Sequence, residues 1–423
     1  MTFTEFNLHS GILAEITAAG FSAPTPIQER AIPPVMAGRD VLGLAQTGTG
    51  KTAAFALPIL NRLMGGARGH VRALILAPTR ELAEQIHDAV CGLGKQTGLR
   101  SATIYGGVGL QPQIQKLRRG TEIVVACPGR LLDHIRQGTI DLSRLEFLVL
   151  DEADQMFDMG FLPDIKKILA HLPVKRQTLL FSATMPAAIR KLSHDLLIDP
   201  VTVQVDTVAP SSTVSHALYP VASHLKTGLL LQLLQSTDIT SALVFTRTKH
   251  RAKRLGLQLE KAGFASASLQ GNLSQNRRKE ALDGFRQGRT QILVATDIAA
   301  RGIDVSQVSH VVNFDIPDTV EAYIHRIGRT GRATRTGDAF TLVTTEDKTT
   351  VRAIEKVLGS PIERRNMDGF NYSEPASSQA PHESRAPRPK RAAAPGANAS
   401  AGRRKPRDAG RASMAQRRVV KSS

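Results

Sequence analysis

The chain has 423 residues and sets 55 Lys plus Arg against 37 Asp plus Glu, a formal net charge of +18. That length suffices for two or three domains with separate cores, and a hydrophobic share of 41% makes the bulk globular rather than disordered. No apolar run approaches the roughly 18 residues that cross a bilayer, residues 1–6 lack a secretory pattern, and two cysteines, Cys91 and Cys127, cannot build a disulfide framework. Membrane-spanning and disulfide-stapled secreted classes are therefore set aside, and a cytoplasmic location is expected. The excess positive charge favours a polyanion partner, though it also serves solubility.

In chain order, short β-rich runs alternate with amphipathic stretches, the pattern of parallel-sheet α/β domains. Strands are expected at 40–44, 73–77, 123–126, 147–150 and 178–181, with helices between them, as at 81–93 and 165–172. A Pro, Ser and Thr stretch at 206–215 reads as a linker. A second series follows, with strands at 242–245, 266–269, 292–295, 308–313 and 339–343 and a helix at 252–262. From Asn371 onward 12 Lys plus Arg outweigh 3 Asp plus Glu in 53 residues, so half the net charge lies in this tail. Without aromatic residues beyond Ser373 it cannot bury enough apolar surface to fold, and its basic clusters, such as residues 403–407, suit a sequence-independent RNA tether.

Ligands of open parallel sheets bind past the carboxyl ends of the strands, where the unusual residues of this sequence cluster. After the first strand comes Ala45-Gln46-Thr47-Gly48-Thr49-Gly50-Lys51-Thr52, leading into a helix. Backbone N–H groups of such a loop cradle phosphates, the lysine reaches the β and γ phosphates and the Thr52 hydroxyl meets Mg²⁺. Ala45 departs from the general pattern, which has Gly there. Farther on, an apolar strand ends in Asp151-Glu152-Ala153-Asp154. Beside a phosphate loop, Asp151 suits Mg²⁺ and Glu152 suits orientation and deprotonation of the attacking water; in isolation the same residues would be an ordinary acidic helix start.

These motifs, in this order, resemble the DEAD-box RNA helicases, most like the bacterial RhlE type, over roughly residues 1–365. The resemblance implies two tandem RecA-like domains followed by a disordered basic tail, at 1–205, 216–365 and 366–423, with the linker at 206–215. It implies ATP as the nucleotide, RNA as the partner, and an ATPase that separates short duplexes. Phe3, Gly20-Phe21 and Pro24-Thr25-Pro26-Ile27-Gln28 resemble the family's Q motif, in which Gln28 reads adenine and Phe3 stacks on the base. Ser182-Ala183-Thr184 resembles the motif coupling hydrolysis to strand separation. His325-Arg326-Ile327-Gly328-Arg329 resembles the arginine-finger motif: Arg326 and Arg329 would reach the γ phosphate across a cleft, and His325 would face the acidic motif. Gly302 and Asp304, in the stretch 294–304, are implied at the ribose.

RNA contacts carried over from the family fall on Pro78, Thr79, Arg80, Gly106, Gly107, Pro128, Gly129 and Arg130 in the first domain. In the second they fall on Thr246, Arg247, Gly271, Asn272, Arg278, Thr296 and Asp297. Cys127 stands where the family usually has Thr, and Gln270 where it often has His. Ribosomal or RNA-decay proteins are candidate partners. Two rivals remain at this level: an ATP-gated RNA clamp or assembly scaffold in which unwinding is incidental, and a DNA helicase, against which the Q motif argues.

Overall fold

The computed structural model describes residues 1–46, 48–205, 214–300, 308–331 and 337–375. Two seven-stranded parallel sheets lie within one compact unit, Met1–Glu374. The first contains β1 (Val41–Leu44), β2 (Ala73–Leu76), β3 (Ser101–Ile104), β4 (Ile123–Ala126), β5 (Phe147–Leu150), β6 (Gln177–Ser182) and β7 (Val201–Gln204), ordered β3-β4-β2-β5-β6-β1-β7. The second contains β8 (Val214–Pro220), β9 (Ala242–Phe245), β10 (Ser266–Leu269), β11 (Ile292–Ala295), β12 (His310–Asn313), β13 (Gly337–Val343) and β14 (Glu363–Arg364), ordered β10-β11-β9-β12-β13-β8-β14.

Strand residues alternate between two apolar faces, since successive side chains of a strand point to opposite sides. Ile75, Val125 and Val149 join Phe55, Ile59 and Ile86 on one face of the first sheet, whereas Leu74, Val124 and Leu148 join Leu131, Met156 and Ile189 on the other. In the second sheet Val244, Val294 and Val312 pack with Leu229 and Leu255, while Leu243, Leu293 and Val311 pack with Leu282 and Phe285. Burial on both faces explains why the inner strands read as continuous apolar runs.

Every strand expected from the sequence is present, with ends shifted by a few residues. The expectation omitted β3, β7, β8 and β14; β8 begins at Val214, inside the stretch read as linker, and the linker's residues 206–213 lie outside the described ones. The tail also begins later than expected. Met367, Phe370 and Tyr372 pack on the second core, so the fold extends past residue 366; residues 376–423 lie outside the described set. Among the described residues no helix is long and apolar enough to cross a membrane.

Candidate active site

Helix Pro26–Met36 starts with Thr25 as N-cap and Pro26 in its first turn, where a missing N–H costs nothing. This fixes Gln28, whose Oε1 accepts from Thr25 N at 3.0 Å and whose Nε2 donates to Gly50 O at 3.1 Å. Each end of that amide retains one further site, a hydrogen and a lone pair. Gly50 sits at φ 95°, and a Cβ there would come within 2.4 Å of Gln28 Nε2, so the contact requires glycine. Phe3 is buried against Phe6, and its ring meets that of Phe21 at 6.2 Å between centroids. It is Phe21, 40% exposed, that offers a free aromatic surface, in place of the expected Phe3.

Lys51 opens helix Lys51–Leu63 directly after the loop, and its buried Nζ donates to Ala45 O at 2.9 Å. Thr49 Oγ1 donates to Gln46 O at 2.8 Å and tightens the turn that contains Gly48, at φ 84°. Thr52 follows Lys51 on the same first turn. Thr47, Gly302 and Asp304 lie outside the described residues.

Strand β5 delivers Asp151 and Glu152, each 2% exposed, to the same crevice. Glu152 adopts φ 53° and ψ 52°, a left-handed conformation that costs a side-chain-bearing residue energy and marks sites where geometry matters. Among the described residues neither of its carboxylate oxygens has a hydrogen-bond partner. Burial pushes its pKa up to about 7; Lys51 opposes the rise, Asp151 adds to it, and Arg329 opposes it in turn. Burial raises Asp151 as well, against Lys51 and the Glu152 amide, which donates to Asp151 Oδ1 at 3.0 Å.

Asp154, which sequence reasoning left without a role of its own, is the partner of the Ser-Ala-Thr motif. Its Oδ2 accepts from Ala183 N at 3.2 Å, Thr184 N at 2.8 Å and Thr184 Oγ1 at 2.9 Å, and its own N–H donates to Ser182 Oγ at 3.3 Å. The signal was its place on the first turn after Glu152. His325, from the second sheet's side, lies within electrostatic reach of Asp154; burial lowers its pKa and Asp154 raises it.

The two arginines of the second motif divide. Arg329 is buried and lies within electrostatic reach of Glu152 on the other half, whose pKa it lowers. Arg326 does not reach across. Its Nε and Nη2 donate to the two oxygens of Asp297 at 2.6 Å each, Nη1 donates to Asn313 Oδ1 at 3.0 Å and Asp315 O at 2.7 Å, and its guanidinium lies 4.9 Å from the Phe245 ring centre. Asp297, whose side chain stays 32% exposed, is thereby the counter-ion of Arg326. Thr296 O accepts from the N–H groups of Ala299 and Ala300 beside it.

Thr79 caps helix Arg80–Leu93, its Oγ1 accepting from Leu82 N at 3.2 Å, and Pro78 precedes it. Arg80 passes across Gly107, where a Cβ would lie 2.0 Å from Nη1, with Gly106 adjoining. Arg130 Nη1 donates to Val108 O at 3.0 Å, which brings Arg80, the Gly pair and Arg130 to one edge. Pro128 and Gly129 open helix Pro128–Arg136 there. Cys127 is its N-cap without a side-chain cap, and burial drives its thiol up to about 12, so it is an apolar stand-in for a hydroxyl donor.

On the other half, Thr246 is fully buried and its Oγ1 donates to Thr248 O, whereas the Arg247 guanidinium is half exposed. Gln270 Oε1 accepts from Asn272 N at 2.8 Å and so fixes the Gly271-Asn272 turn; Lys249 Nζ donates to Asn272 Oδ1. Arg278 is not open to RNA. It is buried, and its Nε donates to Glu81 Oε1 at 2.7 Å, joining the two halves with help from Gln275, a pairing that no local pattern revealed.

Residues 25–192 match the DEAD/DEAH box helicase family and residues 225–334 the helicase conserved C-terminal domain. A DEAD-box ATP-dependent RNA helicase of Bacillus subtilis, CshA, is 42% identical over 90% of this chain and 76% of its own length. This chain belongs to the DEAD-box ATP-dependent RNA helicase family. The family member DeaD of Buchnera aphidicola is 42% identical over 87% of this chain, which spans 61% of that longer protein. The DEAD-box fold is shared with S. cerevisiae Dbp5 bound to RNA and ADP BeF3, at a TM-score of 0.79 and 32% identity, covering 87% of this chain and 96% of that one.

Proposed function

We propose that this DEAD-box chain hydrolyses ATP in a site completed by both halves and thereby binds and locally opens short RNA duplexes. The observation that carries this is Glu152, a buried carboxylate with no donor among the described residues, held in a left-handed conformation within electrostatic reach of Lys51 and Arg329. Gln28 reads adenine, Phe21 offers the stacking face, and Lys51 with the loop amides holds the phosphates. Among the described residues no three His, Cys, Asp or Glu side chains gather as a metal site. The oxygen donors of Asp151 and Thr52 fit an Mg²⁺ that arrives with the phosphates, where it would neutralise their charge. Glu152 accepts the proton of the attacking water, and Arg329 meets charge developing on the transferred phosphoryl group. Arg326 positions this loop by clamping Asp297, Asn313 and Asp315. Because Arg329 and Glu152 come from different halves, turnover depends on closure.

RNA lies against Arg80, Gly106, Gly107, Arg130 and Arg247, groups that hold phosphates without reading bases. We read the two domains as 1–205 and 214–372, the second running on to the packed Tyr372, and the subfamily as RhlE-like on the motif sequences, with ribosomal or RNA-decay proteins as the partner class and the cytoplasm as the location. The deciding test compares ATPase stimulation by single-stranded RNA and DNA and follows duplex separation with Glu152→Gln. RNA-specific stimulation and loss of both activities in the variant are expected. Stimulation by DNA alone would reject the reading, and a surviving cellular role for Glu152→Gln would favour an ATP-gated clamp.

A further inference from the structure

The second sheet repeats the first. Adding seven to each strand number in β3-β4-β2-β5-β6-β1-β7 gives β10-β11-β9-β12-β13-β8-β14. Each part of the nucleotide crevice therefore has a positional counterpart. The crevice lies past the carboxyl ends of β1, β5 and β6, with Lys51 opening the helix after β1 and Asp151 following β5. Past the ends of β8, β12 and β13, Lys226 opens helix Lys226–Ser236 and Asp315 follows β12. Lys226 Nζ donates to Phe314 O and Leu342 O at 3.0 Å each and lies 4.0 Å from Asp315 Oδ1, both side chains 5% exposed.

This counterpart is an open cavity of about 860 Å³ rather than a filled core, a size typical of small-molecule sites. Its lining includes Lys226, Arg247, Arg251, Lys348, Arg352 and Arg364 against Asp315, Glu346 and Asp347, an excess of three positive charges. Arg251 pairs with Asp315 at 2.6 Å and Arg364 with Glu355 at 2.6 Å. Lys348 and Arg352, one turn apart on helix Lys348–Leu358, are exposed, and no ion pair to another described residue holds either. Val221–Leu225 has no glycine, so the lining cannot wrap a phosphate chain with successive amides as the first crevice does; side-chain cations must do that work.

We propose that this cavity is a second anion site, for a small phosphate-rich ligand such as a nucleoside polyphosphate or inorganic oligophosphate. It touches the working machinery at two points. Asp315 Oδ2 accepts from Arg247 N at 2.9 Å, and Asp315 O accepts from Arg326 Nη1 at 2.7 Å, so a ligand that draws Arg251 away from Asp315 acts on an RNA-facing arginine and on the arginine motif together.

The test titrates inorganic tripolyphosphate by calorimetry, without Mg²⁺, into the full chain carrying Lys51→Ala, which disables the phosphate loop. One saturable site is expected, and adding Lys348→Glu with Arg352→Glu weakens it about tenfold or more, the weight of one charge-assisted hydrogen bond. Lys348→Gln with Arg352→Gln, which removes charge without reversing it, gives an intermediate loss and guards against a folding artefact read by thermal melt. ATP competing for the same site marks a nucleotide ligand, and failure of ATP to compete marks a free oligophosphate. Absence of a saturable site, or a site indifferent to both pairs of substitutions, overturns the proposal by assigning phosphate binding to the first loop or the basic tail. Loss of RNA affinity in the charge-reversed chain without any tripolyphosphate site overturns it in favour of an extended RNA track.

Discussion

Arg278 Nε donates to Glu81 Oε1 at 2.7 Å, a nearly buried ion pair between residues 197 positions apart that ties the two halves together. Breaking one side of such a pair strands a buried charge, at a cost of about 3–5 kcal/mol. Glu81→Arg and Arg278→Glu each lower RNA-stimulated ATPase by at least about tenfold, and the double exchange recovers most of it. Fluorescence energy transfer between labelled halves reads closure directly. If Arg278 instead served RNA, Glu81→Arg would strengthen RNA binding.

Glu152→Gln abolishes turnover yet stabilises the nucleotide-free chain at pH 8. The folded-state pKa, about 7, lies above the ordinary 4.5, so the native state holds the extra proton between these values. Its stability contribution is full below pH 4.5 and is lost as pH rises through 7; above that, burying the charge costs on the order of 1–3 kcal/mol. Denaturant melts of both proteins at pH 5 and pH 8 check this, and an equal difference at the two pH values would refute it.

Arg329→Ala lowers kcat by about 10³, as expected for a guanidinium acting on transition-state charge. Arg326→Ala strands Asp297 and Asn313, so it lowers the melting temperature as well as kcat. Calorimetry and steady-state kinetics on Arg326→Ala check both effects, and a stable Arg326→Ala protein would show that the Asp297 clamp is dispensable.

Ending the chain at Glu374 removes the 12 Lys plus Arg counted from Asn371. RNA affinity falls, the slope of log affinity on log salt flattens by about 0.7 for every phosphate that the tail no longer neutralises, and basal ATPase is unchanged. Loss of basal ATPase would refute the tether role.

What the sequence determined by itself is local. Inner strands such as β4, β5 and β9 are legible because burial on both faces makes them apolar runs, and the loop 45–52 and Asp151-Glu152 are legible because their chemistry needs adjacent residues. Edge strands β3 and β7 carry Ser, Thr and Gln, and β8 interleaves polar residues, so they were missed. Only the tertiary structure decided which arginine does what. Arg326 and Arg329 are near neighbours with the same side chain, but the fold places Asp297 and Asn313 around one and Glu152 within reach of the other. It likewise buried Arg278 against Glu81 and left the cavity over Lys226 open. A guanidinium's role is set by the charges that surround it after folding, and those come from distant parts of the chain.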